Sequence, residues 1–94
     1  MAAAPQGWYR NVTIKYVYAG QKGGRAAVAI NETVNHGTCP SQEFTLDIDS
    51  EYFPYIFAML MSAYTKATPM NIYTDGICTT EGLQATDVAA GNLP

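Results

Sequence analysis

The sequence predicts a mainly β domain with a single helix, an α+β arrangement in the order β-β-β-α-β-β. Three observations carry that reading. Several short runs alternate β-branched or aromatic residues with polar ones. Gly, Asn, Asp and Pro gather between those runs. One stretch, residues 51–66, is apolar at helical spacing between an Asp-Ser start and a Pro stop. At 94 residues the chain reads as one domain, 1–94, because two halves would be too small to bury separate cores. Residues 1–6 and 89–94 are expected to be flexible.

The elements follow in order. Residues 9–18 are rich in Val, Ile, Thr and Tyr and form a first strand, with Val12, Ile14 and Tyr16 on one face and Thr13 and Lys15 on the other. Gly20, Gly23 and Gly24 supply the positive φ that a hairpin loop needs. A second strand spans 25–32, with Val28 and Ile30 inward. After a turn-rich stretch at 35–41, residues 43–48 alternate cleanly and put Phe44, Leu46 and Ile48 on one face of a third strand. Asp49 and Ser50 are N-cap residues for a helix over 51–66, with Glu51 favourable to its dipole and Pro54 in the first turn, where no intrahelical acceptor is lost. Pro69 stops the helix. Residues 70–74 form strand four, Asp75-Gly76 a turn, and 82–88 a fifth strand. A helix placed between strands three and four is the arrangement of the five-stranded OB barrel. The competing architecture is a small open sheet with the helix on one face.

The helix holds more apolar surface than one small barrel can cover. Phe53, Ile56, Leu60 and Ala63 make a stripe at i, i+3, i+7 and i+10 that suits the barrel. Tyr55, Phe57, Met59, Met61 and Tyr64 then point away from it, which predicts an interface with a protein partner, most simply identical subunits. Coverage of that face by long loops is the alternative. Charged residues are only 14% of the chain, against about a quarter in ordinary globular domains, so much of the uncharged surface is expected to be covered by a neighbour.

Composition also excludes several functions. The net charge is −3 and the five cations, Arg10, Lys15, Lys22, Arg25 and Lys66, are scattered, which disfavours nucleic acid. A single-stranded nucleic-acid binder on this fold would need a basic groove with stacking aromatics. His36 is the only histidine, with no nucleophile–base pair, phosphate loop or metal-ligand cluster to accompany it, so the chain reads as a binding protein without catalysis, cofactor or metal. Asp47 and Asp49 fit helix capping better than acid–base work.

Cys39 and Cys78 fall short of a zinc site even with His36, and a single disulfide suits them, clipping two loops over the helix and worth about 3–4 kcal/mol. Such a bond implies an oxidising compartment, hence a secreted or periplasmic chain. Two free thiols in the cytosol are the competing reading. The opening Met-Ala-Ala-Ala-Pro-Gln-Gly contains no apolar stretch long enough for a signal or a membrane span, so Met1 reads as a start placed on a mature domain.

Aromatic residues flank polar ones in Trp8-Tyr9-Arg10-Asn11 and recur at Tyr16 and Tyr18. Sugars present apolar C–H faces and hydroxyls, so this grouping, with Lys15 as a neighbour, is a candidate glycan site. Core or interface packing of Trp8 and Tyr9 is the bland alternative. Asn11-Val12-Thr13 and Asn31-Glu32-Thr33 match the N-glycosylation pattern, although both sit in predicted strands.

Residues 8–14 leading into Ala19-Gly20-Gln21, then Thr38-Cys39, the helix, and Pro69-Met70-Asn71-Ile72-Tyr73 together resemble the binding (B) subunits of the subtilase-cytotoxin and pertussis-like AB-type bacterial toxins. The resemblance covers most of residues 6 to 78. It implies an OB fold assembled as a ring of five identical subunits, with helices around a central pore, host-cell glycans on the barrel side and an enzymatic A subunit as cargo. The family's sialic-acid contact, a serine near the start of the first strand, is replaced by Arg10, which can pair with a carboxylated sugar. The expected function is thus a secreted, lectin-like toxin subunit. The alternative is a periplasmic structural or interaction protein on the same fold without a sugar site.

Overall fold

The computed structural model describes residues 6–20, 25–33, 37, 39, 43–79 and 82–93. Six strands and one helix follow one another: β1 (Gly7–Val12), β2 (Ile14–Gly20), β3 (Arg25–Ile30), β4 (Phe44–Leu46), α1 (Phe53–Lys66), β5 (Met70–Thr79) and β6 (Gly82–Ala89). The chain is mainly β with one helix, as expected. The six strands form one mixed sheet in the order β1-β5-β6-β4-β3-β2, with β4 and β6 parallel and every other pair antiparallel. The expected five-stranded barrel is corrected on two counts: among the described residues there are six strands, and no ladder of hydrogen bonds joins the outer strands β1 and β2.

The extra strand arises because the first predicted strand is broken. Asn11 adopts a left-handed φ of 56°, and the ladder shifts register beyond Tyr9 on one side of the break and before Tyr16 on the other. Thr13 is the joint, and its polar groups are bonded locally. Its N–H and hydroxyl each donate to the Glu32 carboxylate at 2.8 Å. Asn31 donates to it twice, from its backbone N–H to the Thr13 carbonyl at 2.9 Å and from Nδ2 to the hydroxyl at 3.0 Å. Chain segments on either side then take different partners, β1 joining β5 and β2 joining β3. The shift also turns Tyr16 outward, against the sequence expectation, while Val12 and Ile14 stay buried and Val17 packs against the core.

The core lies between the sheet and α1. Phe44, Leu60, Ile72, Leu83 and Val28 are its largest fully buried side chains. The helix contributes Leu60 and Ala63, with Phe53 and Ile56 partly buried against them, so the predicted stripe is the one that packs. Phe57, expected to face away, packs on the core as well, its ring 5.5 Å from that of Phe53. The helix starts at Phe53 rather than residue 51, because residues 47–50 form a turn: Ser50 accepts from the Tyr52 N–H on its hydroxyl and from the Phe53 N–H on its carbonyl. Ile48, expected inward, falls in that turn and is exposed. At the other end Ala67 turns left-handed, and the N–H groups of Ala67 and Thr68 close on the carbonyls of Tyr64 and Ala63, ending the helix ahead of Pro69.

Asp75-Gly76 is not a turn between strands. Gly76, at φ 84°, forms an irregularity within a continuous β5, held by Thr74 Oγ1 and Asp75 Oδ1 accepting from the N–H groups of Gly76 and Ile77. The predicted disulfide is present, joining Cys39 to Cys78 with Cα atoms 5.6 Å apart and so tying the segment ahead of β4 to the far end of β5. The glycine loop at 21–24 and His36 lie outside the described residues.

Candidate functional site

Alternation along β1 separates the residues that the sequence groups together. Trp8 and Arg10 project from one face, Tyr9 from the other. Tyr9 packs against the core with its ring edge-on to Phe44, centroids 5.3 Å apart, and burial raises its phenol pKa. Its ring therefore serves packing. Trp8 lies opposite Tyr73 of β5, the two rings edge to face at 5.3 Å, and Gln6 Nε2 donates to the Tyr73 hydroxyl at 3.0 Å. This is a half-buried aromatic pair with a polar rim.

Next to it in sequence, Arg10, Asn11, Asn71, Gly91, Asn92 and Leu93 line a polar cleft of about 210 Å³. Arg10 donates from its guanidinium to the Leu93 carbonyl at 3.1 Å. Beneath, Asn71 is almost fully buried and spends its whole amide on backbone. Its Oδ1 accepts from the Asn11 N–H at 3.0 Å, and its Nδ2 donates to the carbonyls of Ala89 at 3.0 Å and Gly91 at 2.8 Å. One side chain thus fixes both the left-handed residue at the strand break and the segment that follows β6. Chemically the cleft offers a cation and the side-chain amides of Asn11 and Asn92, a set suited to a polyhydroxylated or anionic ligand.

Lys15 is exposed on β2, beyond the break. On β2 as well, Tyr16 and Tyr18 stack at 6.1 Å with their planes 24° apart, and both hydroxyls donate to Glu43, Tyr18 at 3.4 Å. Arg25 pairs with the same carboxylate at 3.1 Å and lies over the Tyr18 ring at 5.7 Å. The hydrogen bond to Glu43, then burial and the negative charge nearby, raise the Tyr16 pKa against the opposing charge of Arg25. This cluster belongs to the β2–β3–β4 end of the sheet, so Tyr16 and Tyr18 are separated from the Trp8–Arg10 face rather than joined to it.

On the helix, Tyr55, Met59, Met61 and Tyr64 are exposed, with Tyr52 beside them. Tyr52, Tyr55 and Met59 line a groove of about 430 Å³ against Thr86, Asp87 and Val88 of β6. Among the described residues no group of His, Cys, Asp and Glu is placed to hold a metal, and no helix is long and apolar enough to cross a membrane.

Sequence reasoning missed Asn71, Tyr73, Asn92, Arg25 and Glu43. Alternation in Met70-Asn71-Ile72-Tyr73 does place Asn71 and Tyr73 opposite the core-facing Met70 and Ile72. Their pairing with residues sixty or more positions earlier has no sequence signal. Comparison with protein-family models, curated proteins and solved structures finds no match.

Proposed function

We propose that the chain is a secreted binding subunit of bacterial AB-toxin type: a non-catalytic, lectin-like module of OB type that assembles with identical copies into a ring of five, binds host-cell glycans and carries an enzymatic subunit. The observation that carries the reading is the polar cleft lined by Arg10, Asn11, Asn71 and Asn92, with the Trp8–Tyr73 pair on the same two strands. A carboxylated sugar, sialic acid among them, suits such a cation.

Three further observations support it. The helix lies between β4 and β5, β4 and β6 are parallel, and the adjacent segments β1 and β2 stand at the two ends of the sheet, features that an OB-type module with a split first strand would share. The disulfide and its compartment suit a secreted chain. The exposed Tyr55, Met59, Met61 and Tyr64 give the helix two apolar flanks, and a surface that offers different groups to each neighbour builds rings. A second reading, an interaction protein with no sugar site, is favoured by the engagement of Arg10 with Leu93 and of Tyr9 with the core.

Glycan-array screening of the purified oligomer, with light scattering for subunit number, tests the proposal. Binders bearing carboxylated sugars are expected, together with a mass of five subunits of 10.2 kDa each. Arg10→Ala is expected to weaken such a binder about ten- to a hundredfold, the loss of a charge-assisted hydrogen bond. An array without binders, or unchanged affinity in Arg10→Ala, refutes the glycan site and leaves the second reading. A monomer refutes the ring.

A further inference from the structure

We propose that Tyr16 and Tyr18, bridged by Glu43, form a second carbohydrate subsite that takes the apolar face of an uncharged pyranose against the Tyr16 ring. The subsite rests on the proposed glycan-binding function, yet uses none of the residues of the Arg10 cleft.

The construction of the cluster carries the inference. Tyr16 and Tyr18 lie opposite Ala29 and Ala27 in the β2–β3 register, and both alanines are buried. Side chains this small let the two rings reach across β3 toward β4, where Glu43 immediately precedes Phe44 and accepts from both phenols. The rings are thereby fixed before any ligand arrives, so little side-chain entropy is lost on binding. Arg25 occupies the Tyr18 side of the stack. Tyr16 ends the row: among the described residues its one ring neighbour is Tyr18, and it is 38% exposed.

A flat aromatic face held open, with oxygen at its tip, matches a sugar ring with an apolar C–H face and equatorial hydroxyls. Each phenol donates its proton to Glu43, so its oxygen is left to accept from a sugar hydroxyl. Charge sets the class of sugar. The Arg25 charge is taken up by its ion pair with Glu43, so an anionic saccharide gains no net attraction here. An uncharged pyranose therefore belongs here, in contrast to the cationic Arg10 cleft.

Saturation-transfer NMR with the methyl glycosides of galactose, glucose and mannose, and separately with sialyllactose, tests the two sites independently on the same protein. At least one neutral glycoside is expected to receive saturation from the tyrosine ring protons. Tyr16→Ala, whose fold is checked by its amide spectrum, is expected to weaken that binding about tenfold, as loss of one stacking face predicts. Tyr16→Phe keeps the ring and is expected to stay within about threefold of the unaltered protein. Arg10→Ala is expected to leave the neutral sugar unaffected. The proposal is overturned if no neutral glycoside receives saturation, or if Tyr16→Ala binds one unchanged. Sialyllactose binding that is lost in Arg10→Ala under either of those outcomes preserves the Arg10 cleft and removes this subsite alone.

Discussion

Replacing Asn71 by alanine removes a single small side chain and with it three hydrogen bonds at one stroke. The side chain is almost fully buried, accepts from the Asn11 N–H and donates to the carbonyls of Ala89 and Gly91. A buried group left without a partner costs about 1–3 kcal/mol. Asn11 and Gly91 are exposed, so water can replace part of what they lose, and the two carbonyls keep some solvation. The sum expected is therefore about 2–4 kcal/mol rather than three full penalties. In a domain of this size each kcal/mol moves the melting point by about 4–8 °C, so Asn71→Ala is expected to melt about 10–25 °C below the unaltered protein. Thermal unfolding followed by circular dichroism, with the disulfide intact, measures it. Hydrogen exchange adds a local readout, because the Asn11 amide loses its acceptor while amides in β3 keep theirs. Asn71→Asp should separate the two roles: a carboxylate still accepts from Asn11 but turns both donor contacts into repulsions. A melting point for Asn71→Ala within about 2 °C of the parent would show that the amide network holds nothing of consequence.

Two other outcomes are expected. Replacing both Cys39 and Cys78 by serine opens a loop of sequence separation 39, and its closure entropy amounts to about 4 kcal/mol, so the double variant should unfold at clearly lower denaturant, with a slope no smaller than that of the parent because the unfolded chain is freer to expand. Glu32 gives an acid limb. Burial acts to raise its pKa, but hydrogen bonds from the Thr13 N–H and hydroxyl outweigh that and hold it below the usual glutamate value. A lowered folded pKa means stability that is present above the unfolded value and lost as pH falls through the folded one. Glu32→Gln should therefore flatten the decline in stability just below the ordinary glutamate range, and an unaltered acid limb in urea titrations would exclude this carboxylate as its source.

Local signals account for what the sequence disclosed. The stripe of Phe53, Ile56, Leu60 and Ala63 is periodic, and it packs as read. The helix closes on the left-handed Ala67 just ahead of Pro69, the stop signal in the sequence, and alternation in Phe44-Thr45-Leu46 gives β4. Errors came where a distant residue decides. The break at Thr13 depends on Asn11, whose left-handed backbone is anchored by a side chain 60 positions away. Asp75-Gly76 has the composition of a turn, yet β5 continues through it because β6 pairs on both sides. The candidate glycan residues were legible as a cluster in sequence but not in space. Strand alternation sends Tyr9 into the core, and the break carries Lys15, Tyr16 and Tyr18 onto a strand at the other end of the sheet.

The split first segment also shapes how the chain reaches its fold. Synthesised from the N-terminus, residues 14–30 can zip into a hairpin at once, since β2 and β3 are neighbours in sequence. Residues 7–12 have no mate until β5 emerges, with the helix and three other strands made in the interval. Trp8 and Tyr9 wait unpaired through that time, and seating them is the long-range event that completes the molecule. Were the chain exported unfolded, as the proposed function would require, this junction would have to form on the far side of the membrane, together with the Cys39–Cys78 bond.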